Sequence, residues 1–111
     1  MNLATIIDAH PEDRVALVSH GRETTYGDLR ESTAALRAEL TALGVGKGHV
    51  VALLCSNTPY FVISYLAAVG VGAVVAPLNP TSPAPEIERE IDTLKPTIVV
   101  LEPSAMAAWA A

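Results

Sequence analysis

Between Val50 and Pro85 the chain carries no charged side chain. So apolar a stretch must leave water, into either lipid or the interior of a protein. A membrane-spanning helix needs about 20 consecutive apolar residues. Here Asn57-Thr58-Pro59 interrupts the run early, Gly70 and Gly72 interrupt it again, and Pro77-Leu78-Asn79-Pro80 ends it. The remaining pieces have the lengths of a strand, a helix and a strand. Two apolar strands flanking an apolar helix form the pattern of a parallel βαβ unit covered on both faces, with no transmembrane segment.

The rest of the chain is consistent with that centre. Leu3 to Ala9 reads as a short helix before the His10-Pro11 turn, and Arg14 to Ser19 as a strand. His20-Gly21-Arg22-Glu23 offers a turn, after which Thr24-Thr25-Tyr26 returns as the second strand of a hairpin. Thr25 with Asp28 three residues on resembles a capping box, aspartate standing in the glutamate position. Leu29, Thr33, Leu36, Leu40 and Leu43 form one stripe of the helix that follows. Arg30, Glu31, Arg37 and Glu39 read as its solvated sides, and Gly44 as its stop. Val50 to Leu54 is the first buried strand, and Thr58 caps a second helix with Pro59 at its first position. That helix shows no polar face. Ala73 to Ala76 is the next strand. A helix starting at Ser82-Pro83 turns Ile87, Ile91 and Leu94 inward. Thr97 to Leu101 is a third parallel strand, and Pro103 onward a terminal helix in which Trp109 needs cover. The expectation is an α/β fold, an N-terminal β-hairpin followed by βαβαβ units that give a small, mainly parallel sheet flanked by helices.

Composition narrows the function. The 111 residues suit a single domain. A net charge of −5, with no Lys/Arg cluster, excludes nucleic acid as the expected partner and gives no anchor to anionic lipid. Cys55 is the single cysteine, so no intramolecular disulfide framework exists. The first residues lack the basic and apolar regions of a signal peptide, which makes a cytoplasmic location the expectation.

Each candidate for chemistry has a plainer reading. His10 and His20 lack a third metal ligand nearby and read as solvated loop residues. Gly44-Val45-Gly46-Lys47-Gly48 is not a phosphate loop. After Gly46-Lys47, where Ser/Thr is required, Gly48 intervenes before His49, and the glycines follow a helix instead of opening one. Gly70-Val71-Gly72 lacks the third glycine of a dinucleotide fingerprint. Cys55 has no basic neighbour in sequence to activate it and reads as a small buried residue. Glu86 and Glu90, beside Arg89, read as solubilising charges and not as an acid/base pair.

With the elements placed, the chain resembles the N-terminal part of the adenylate-forming, AMP-binding enzymes: acyl-CoA synthetases, luciferases and peptide-synthetase adenylation domains. Thr24-Thr25-Tyr26-Gly27-Asp28-Leu29 is similar to their first core motif. Gly44 to Ala52 is similar to their helix-to-strand segment, and Gly72 to Pro80 to their second core motif. The likeness continues through the Glu86 helix and Lys95-Pro96-Thr97-Ile98-Val99-Val100, so it spans nearly all of residues 1–111. Asn79 leans toward acyl-CoA synthetases. Two positions depart from the pattern. His49 stands where the family usually has aspartate, and Val71 where a basic residue is common.

The resemblance implies that residues 1–111 are an N-terminal subdomain, a fragment, of an acyl-CoA synthetase of the fatty-acid–CoA ligase type. The full enzyme joins a carboxylic acid to ATP as an acyl-adenylate and passes the acyl group to coenzyme A. ATP, Mg2+ and coenzyme A are implied for the full-length member and none for this portion. The family's phosphate loop, adenine and ribose motifs, magnesium-binding glutamate and mobile lysine have no counterpart here. Lys47 and Lys95, the only lysines, fall in no matching motif. No catalytic, cofactor-binding or metal-binding residue is therefore assigned. The expected partners are the remainder of its own parent chain and, through an exposed strand edge or apolar helix face, a second copy. Two alternatives are a free-standing, non-catalytic interaction or regulatory module docking by Ala105 to Ala111, and a small carboxylate- or nucleotide-binding domain using the loops after Leu54 and Ala76.

Overall fold

The structure, a computed structural model, describes residues 7–19, 21–55 and 58–101. It opens with a hairpin of β1 (Val15–Ser19) and β2 (Arg22–Thr25), followed by α1 (Tyr26–Ala42). Then come β3 (Val50–Leu54), α2 (Pro59–Gly70), β4 (Val74–Leu78), α3 (Ala84–Leu94) and β5 (Ile98–Leu101). The hairpin is antiparallel, and Ser19 faces Arg22, so its turn is two residues long and tighter than the four-residue turn expected. The other strands form a parallel sheet in the order β4-β3-β5, as the α/β reading requires.

Topology places the layers. The crossover from β3 to β4 runs one way across the sheet, and the crossover from β4 to β5 runs back past β3. Right-handed crossovers in opposite directions put their helices on opposite faces. Accordingly Val51 and Leu53 pack with Ala67 and Ala68 of α2 and Leu40 of α1, while Leu54 packs with Ile87 of α3. Val51, Ala52, Leu53 and Leu54 are all 0% exposed. The strand at the head of the uncharged run is thus protein interior, and among the described residues no helix is long and apolar enough to cross a membrane.

Helix ends follow from local chemistry. At the start of α1, Thr25 Oγ1 accepts the Asp28 N–H (3.1 Å) and an Asp28 carboxylate oxygen accepts the Thr25 N–H (3.2 Å). The capping box is complete with aspartate in the glutamate position. Helices α1 and α2 end alike. Gly44 and Gly72 take positive φ (84° and 85°), and the next residue's N–H reaches back, Val45 to Leu40 O (3.0 Å) and Ala73 to Ala68 O (3.1 Å). This is the Schellman arrangement, with an apolar contact under each turn. Gly72 is therefore a helix stop.

Several expectations need correction. Leu43 lies beyond the last turn of α1 as its C-cap and is 62% exposed, so the apolar stripe ends at Leu40. Thr58 sits at the N-cap of α2 in extended backbone, yet its side chain makes no capping hydrogen bond. Tyr60 on α2 is 57% exposed, so that helix does have an outward side. α3 begins at Ala84 with Pro83 as N-cap and no side-chain cap. β4 runs from Val74 through Pro77 to Leu78 instead of ending at Ala76. Val74 N–H donates to His49 O (2.8 Å), and strand alternation then turns the Pro77 nitrogen to the free side of β4, where no ladder bond is lost. Most of the N-terminal helix expected over residues 3–9, and the whole terminal helix after Pro103, lie outside the described residues.

Two substitutions, one at the N-cap of α1 and one within it, separate these effects. Thr25→Ala removes the acceptor for the Asp28 N–H while keeping the backbone N–H that donates to the Asp28 carboxylate, and is expected to cost about 1 kcal/mol. Thr33 is buried, and its hydroxyl has no hydrogen-bond partner among the described residues. Thr33→Val keeps the shape and drops that hydroxyl, so a gain of about 1 kcal/mol is expected. Urea unfolding midpoints measure both, and they should move in opposite directions.

Candidate functional site

Open parallel sheets bind ligands outside the carboxyl ends of their strands, where neighbouring connections leave to opposite faces. In the order β4-β3-β5 that place lies between the ends of β3 and β5, where the strand order reverses. Cys55 stands there, buried, with Sγ directed at Val100 O (3.8 Å). Ser56 and Asn57 lie outside the described residues. After β4, Asn79 Oδ1 accepts the Thr81 N–H (2.9 Å) and the Thr81 hydroxyl (2.7 Å), and Asn79 O accepts the Ser82 N–H (3.1 Å). These polar groups satisfy one another within the loop. The arrangement shapes a turn and leaves little to grip a ligand.

The glycine turn between α1 and β3 is equally occupied. Gly44 N–H donates to Thr41 O (3.0 Å), Val45 N–H to Leu40 O and His49 N–H to Gly46 O (3.1 Å). Gly46 N–H donates to His49 Nδ1 (3.0 Å). A phosphate cradle needs such donors free and aimed at one point. The nucleotide and Mg2+ implied by the resemblance do not fit these residues. Among the described residues, no cluster of three His, Cys, Asp or Glu side chains could hold a metal ion. His49 also answers the first departure from the family pattern, because its imidazole supplies the acceptor that an aspartate would supply to the same turn. Val71, the second departure, is the half-buried C-cap of α2 and packs against the main core.

The remaining candidates disperse. His10 is not a solvated loop residue. Its ring stacks on Tyr26 with centroids 4.3 Å apart, while His20 lies outside the described residues. Glu86 is exposed and Glu90 half-buried on α3. Lys47 is exposed in the glycine turn, and Lys95 is the left-handed C-cap of α3 (φ 48°). Sequence reasoning missed Arg30, assigned to a solvated side of α1. Its Nη1 donates to Ile7 O (3.0 Å) and His10 O (2.7 Å), clamping the preceding segment to the helix. The partners lie 20 and more residues away, so no local pattern marks them.

The first motif is therefore a docking device. Thr25 and Asp28 cap α1, Tyr26 stacks on His10, and Leu29 enters a core with Ile7 and Leu66. Gly27 N–H donates to Glu12 O (2.9 Å). A Cβ at Gly27 would meet that oxygen at 2.9 Å, so the backbones close only over glycine.

A hairpin packed on α1 and α2, beside a parallel sheet with helices on both faces and with no convergent polar site among the described residues, defines a structural unit of the α/β class. The match to known proteins says which one. The family model for AMP-binding enzymes matches residues 3–110, and the chain belongs to that family. A 4-coumarate–CoA ligase-like protein of Oryza sativa subsp. japonica is 36% identical over 91 residues, covering 79% of this chain and 16% of the relative. The crystal structure of Brucella canis acyl-CoA synthetase superposes with a TM-score of 0.85 at 30% identity, covering 99% of this chain and 22% of that one. The N-terminal subdomain of Klebsiella oxytoca NpsA, solved with 3-hydroxybenzoyl-AMSN, superposes at 0.79 with 32% identity, covering 88% of this chain and 25% of that one. The chain thus spans a quarter or less of the relatives it matches.

The His49 acceptor can be checked directly. His49→Ala orphans the Gly46 N–H and is expected to cost about 1 kcal/mol, while His49→Asp restores an acceptor and stays within about 0.5 kcal/mol of the parent. Thermal unfolding of the three proteins side by side gives the ranking.

Proposed function

We propose that this chain is the N-terminal scaffold portion of an ATP-dependent CoA ligase. The parent enzyme converts a carboxylic acid to an acyl-adenylate and then to an acyl-CoA. In that reading ATP, Mg2+ and coenzyme A belong to the full-length protein. The sheet and helices described here buttress its site, and the remainder of the parent chain is the principal partner. One observation carries the reading. Nearly the whole chain superposes on a fifth of an acyl-CoA synthetase, while its own polar groups are spent on caps and turns. The family resemblance suggests a fatty acid as the carboxylic acid, and relatives named for 4-coumarate bring an aryl acid beside it. A cytoplasmic setting suits a single cysteine kept as a buried thiol.

The portion alone is not competent for catalysis. ATP–pyrophosphate exchange by the 111-residue chain, assayed with a fatty acid and with 4-coumarate, is expected to stay at background. Exchange above background with either acid overturns the reading.

A further inference from the structure

We propose that the turn joining α1 to β3 is a pH-sensitive latch, shut by the neutral imidazole of His49 and released when that ring takes up a proton. Gly46 and His49 close the turn from both sides. The His49 N–H donates to Gly46 O (3.1 Å), and the Gly46 N–H donates to His49 Nδ1 (3.0 Å). An imidazole nitrogen accepts a hydrogen bond only while it carries no proton, so the latched ring is neutral with its proton on Nε2. A second proton can go only to Nδ1. There one N–H would face another, and the half-buried Gly46 amide would lose its acceptor.

The latch sits at the head of the sheet. A Cβ on Gly72 would lie 3.5 Å from Lys47 Cα, so the turn packs on the glycine stop of α2. His49 O accepts the Val74 N–H (2.8 Å) and Val50 O the Thr97 N–H (2.8 Å), which ties the entrances of β4 and β5 to the end of the turn. The charged side chains on the surrounding elements are Lys47 in the turn, Arg37 and Glu39 late in α1, and Asp92 and Lys95 at the end of α3. β3, α2, β4 and β5 carry none. Among the described residues none of these charges pairs with the ring, whose one hydrogen bond is to the Gly46 N–H. All five keep their charge between about pH 8 and pH 5, whereas a histidine changes its own. The unfolded chain takes up the same proton with no such bond to lose. Stability contributed by the latch is therefore present above the histidine range and lost as pH falls through it. This holds whatever reaction the parent enzyme runs.

Urea unfolding of the 111-residue chain and of its His49→Asn variant, each at about pH 8 and about pH 5, tests the latch. Asparagine offers an amide oxygen that accepts at both pH values. His10 and His20 are present in both proteins and cancel in the comparison. On acidification the folding constant of the parent is expected to fall about fivefold relative to the variant, the loss of one hydrogen bond. Nitrogen NMR of the parent should show His49 Nδ1 as an unprotonated acceptor at the higher pH, with the Gly46 amide proton moving upfield as that ring titrates. An equal pH response in the two proteins overturns the proposal. So does a proton on Nδ1 at the higher pH, or a Gly46 amide signal that stays in place while the ring titrates.

Discussion

Val51 to Leu54 lose all contact with solvent, and that single condition dictates the arrangement around them. A strand with no exposure needs a neighbour along each edge and a cover on each face. β4 and β5 supply the edges, α2 with α1 one face, and α3 the other. Burying one large aliphatic side chain contributes roughly 1.5–3 kcal/mol. Three such side chains in β3 therefore outweigh any one cap or turn. A charge anywhere in this strand would have no partner and no water, which explains why the sequence tolerates none there.

The hairpin and α1 depend on that centre indirectly. Leu40 at the end of α1 reaches the main core, while Leu29 near its start forms a second cluster with Ile7 and Leu66. The helix therefore bridges two clusters, and its start must be held in register with the hairpin. The capping box, the Gly27–Glu12 approach and the Arg30 clamp all act within that first turn and a half. A cap worth about 1 kcal/mol matters more here than on an isolated helix, because it sets where Leu29 enters its cluster.

The readable part of this fold is the part written in local pattern. Among the described residues, the alternation of apolar runs with Pro and Gly located the three helices and five strands, since β3 and α2 are uncharged and bounded by strong breakers. What escaped depends on contacts distant in sequence. Pro77 looks like a strand end until β4 is known to be an outer strand. Leu43 fits the helical period but falls past the turn that Gly44 closes. Arg30 and His10 look solvated until the hairpin folds the chain back onto α1. The site was legible in the same uneven way. The glycine turn could be rejected on order and spacing alone, but the role of His49 required seeing its ring accept the Gly46 N–H.

That turn also separates the demands of building a fold from those of binding a phosphate. Binding a phosphate takes N–H groups left unpaired by the fold, whereas building a domain takes the opposite, every N–H satisfied. In this chain the glycines, the threonine cap and the asparagine loop all serve the second requirement. Among the described residues, the polar groups at these strand ends and turns are already paired with one another. The sheet's contribution is position. Its strand ends provide a rigid rim, and the rigidity comes from the fully buried residues of β3.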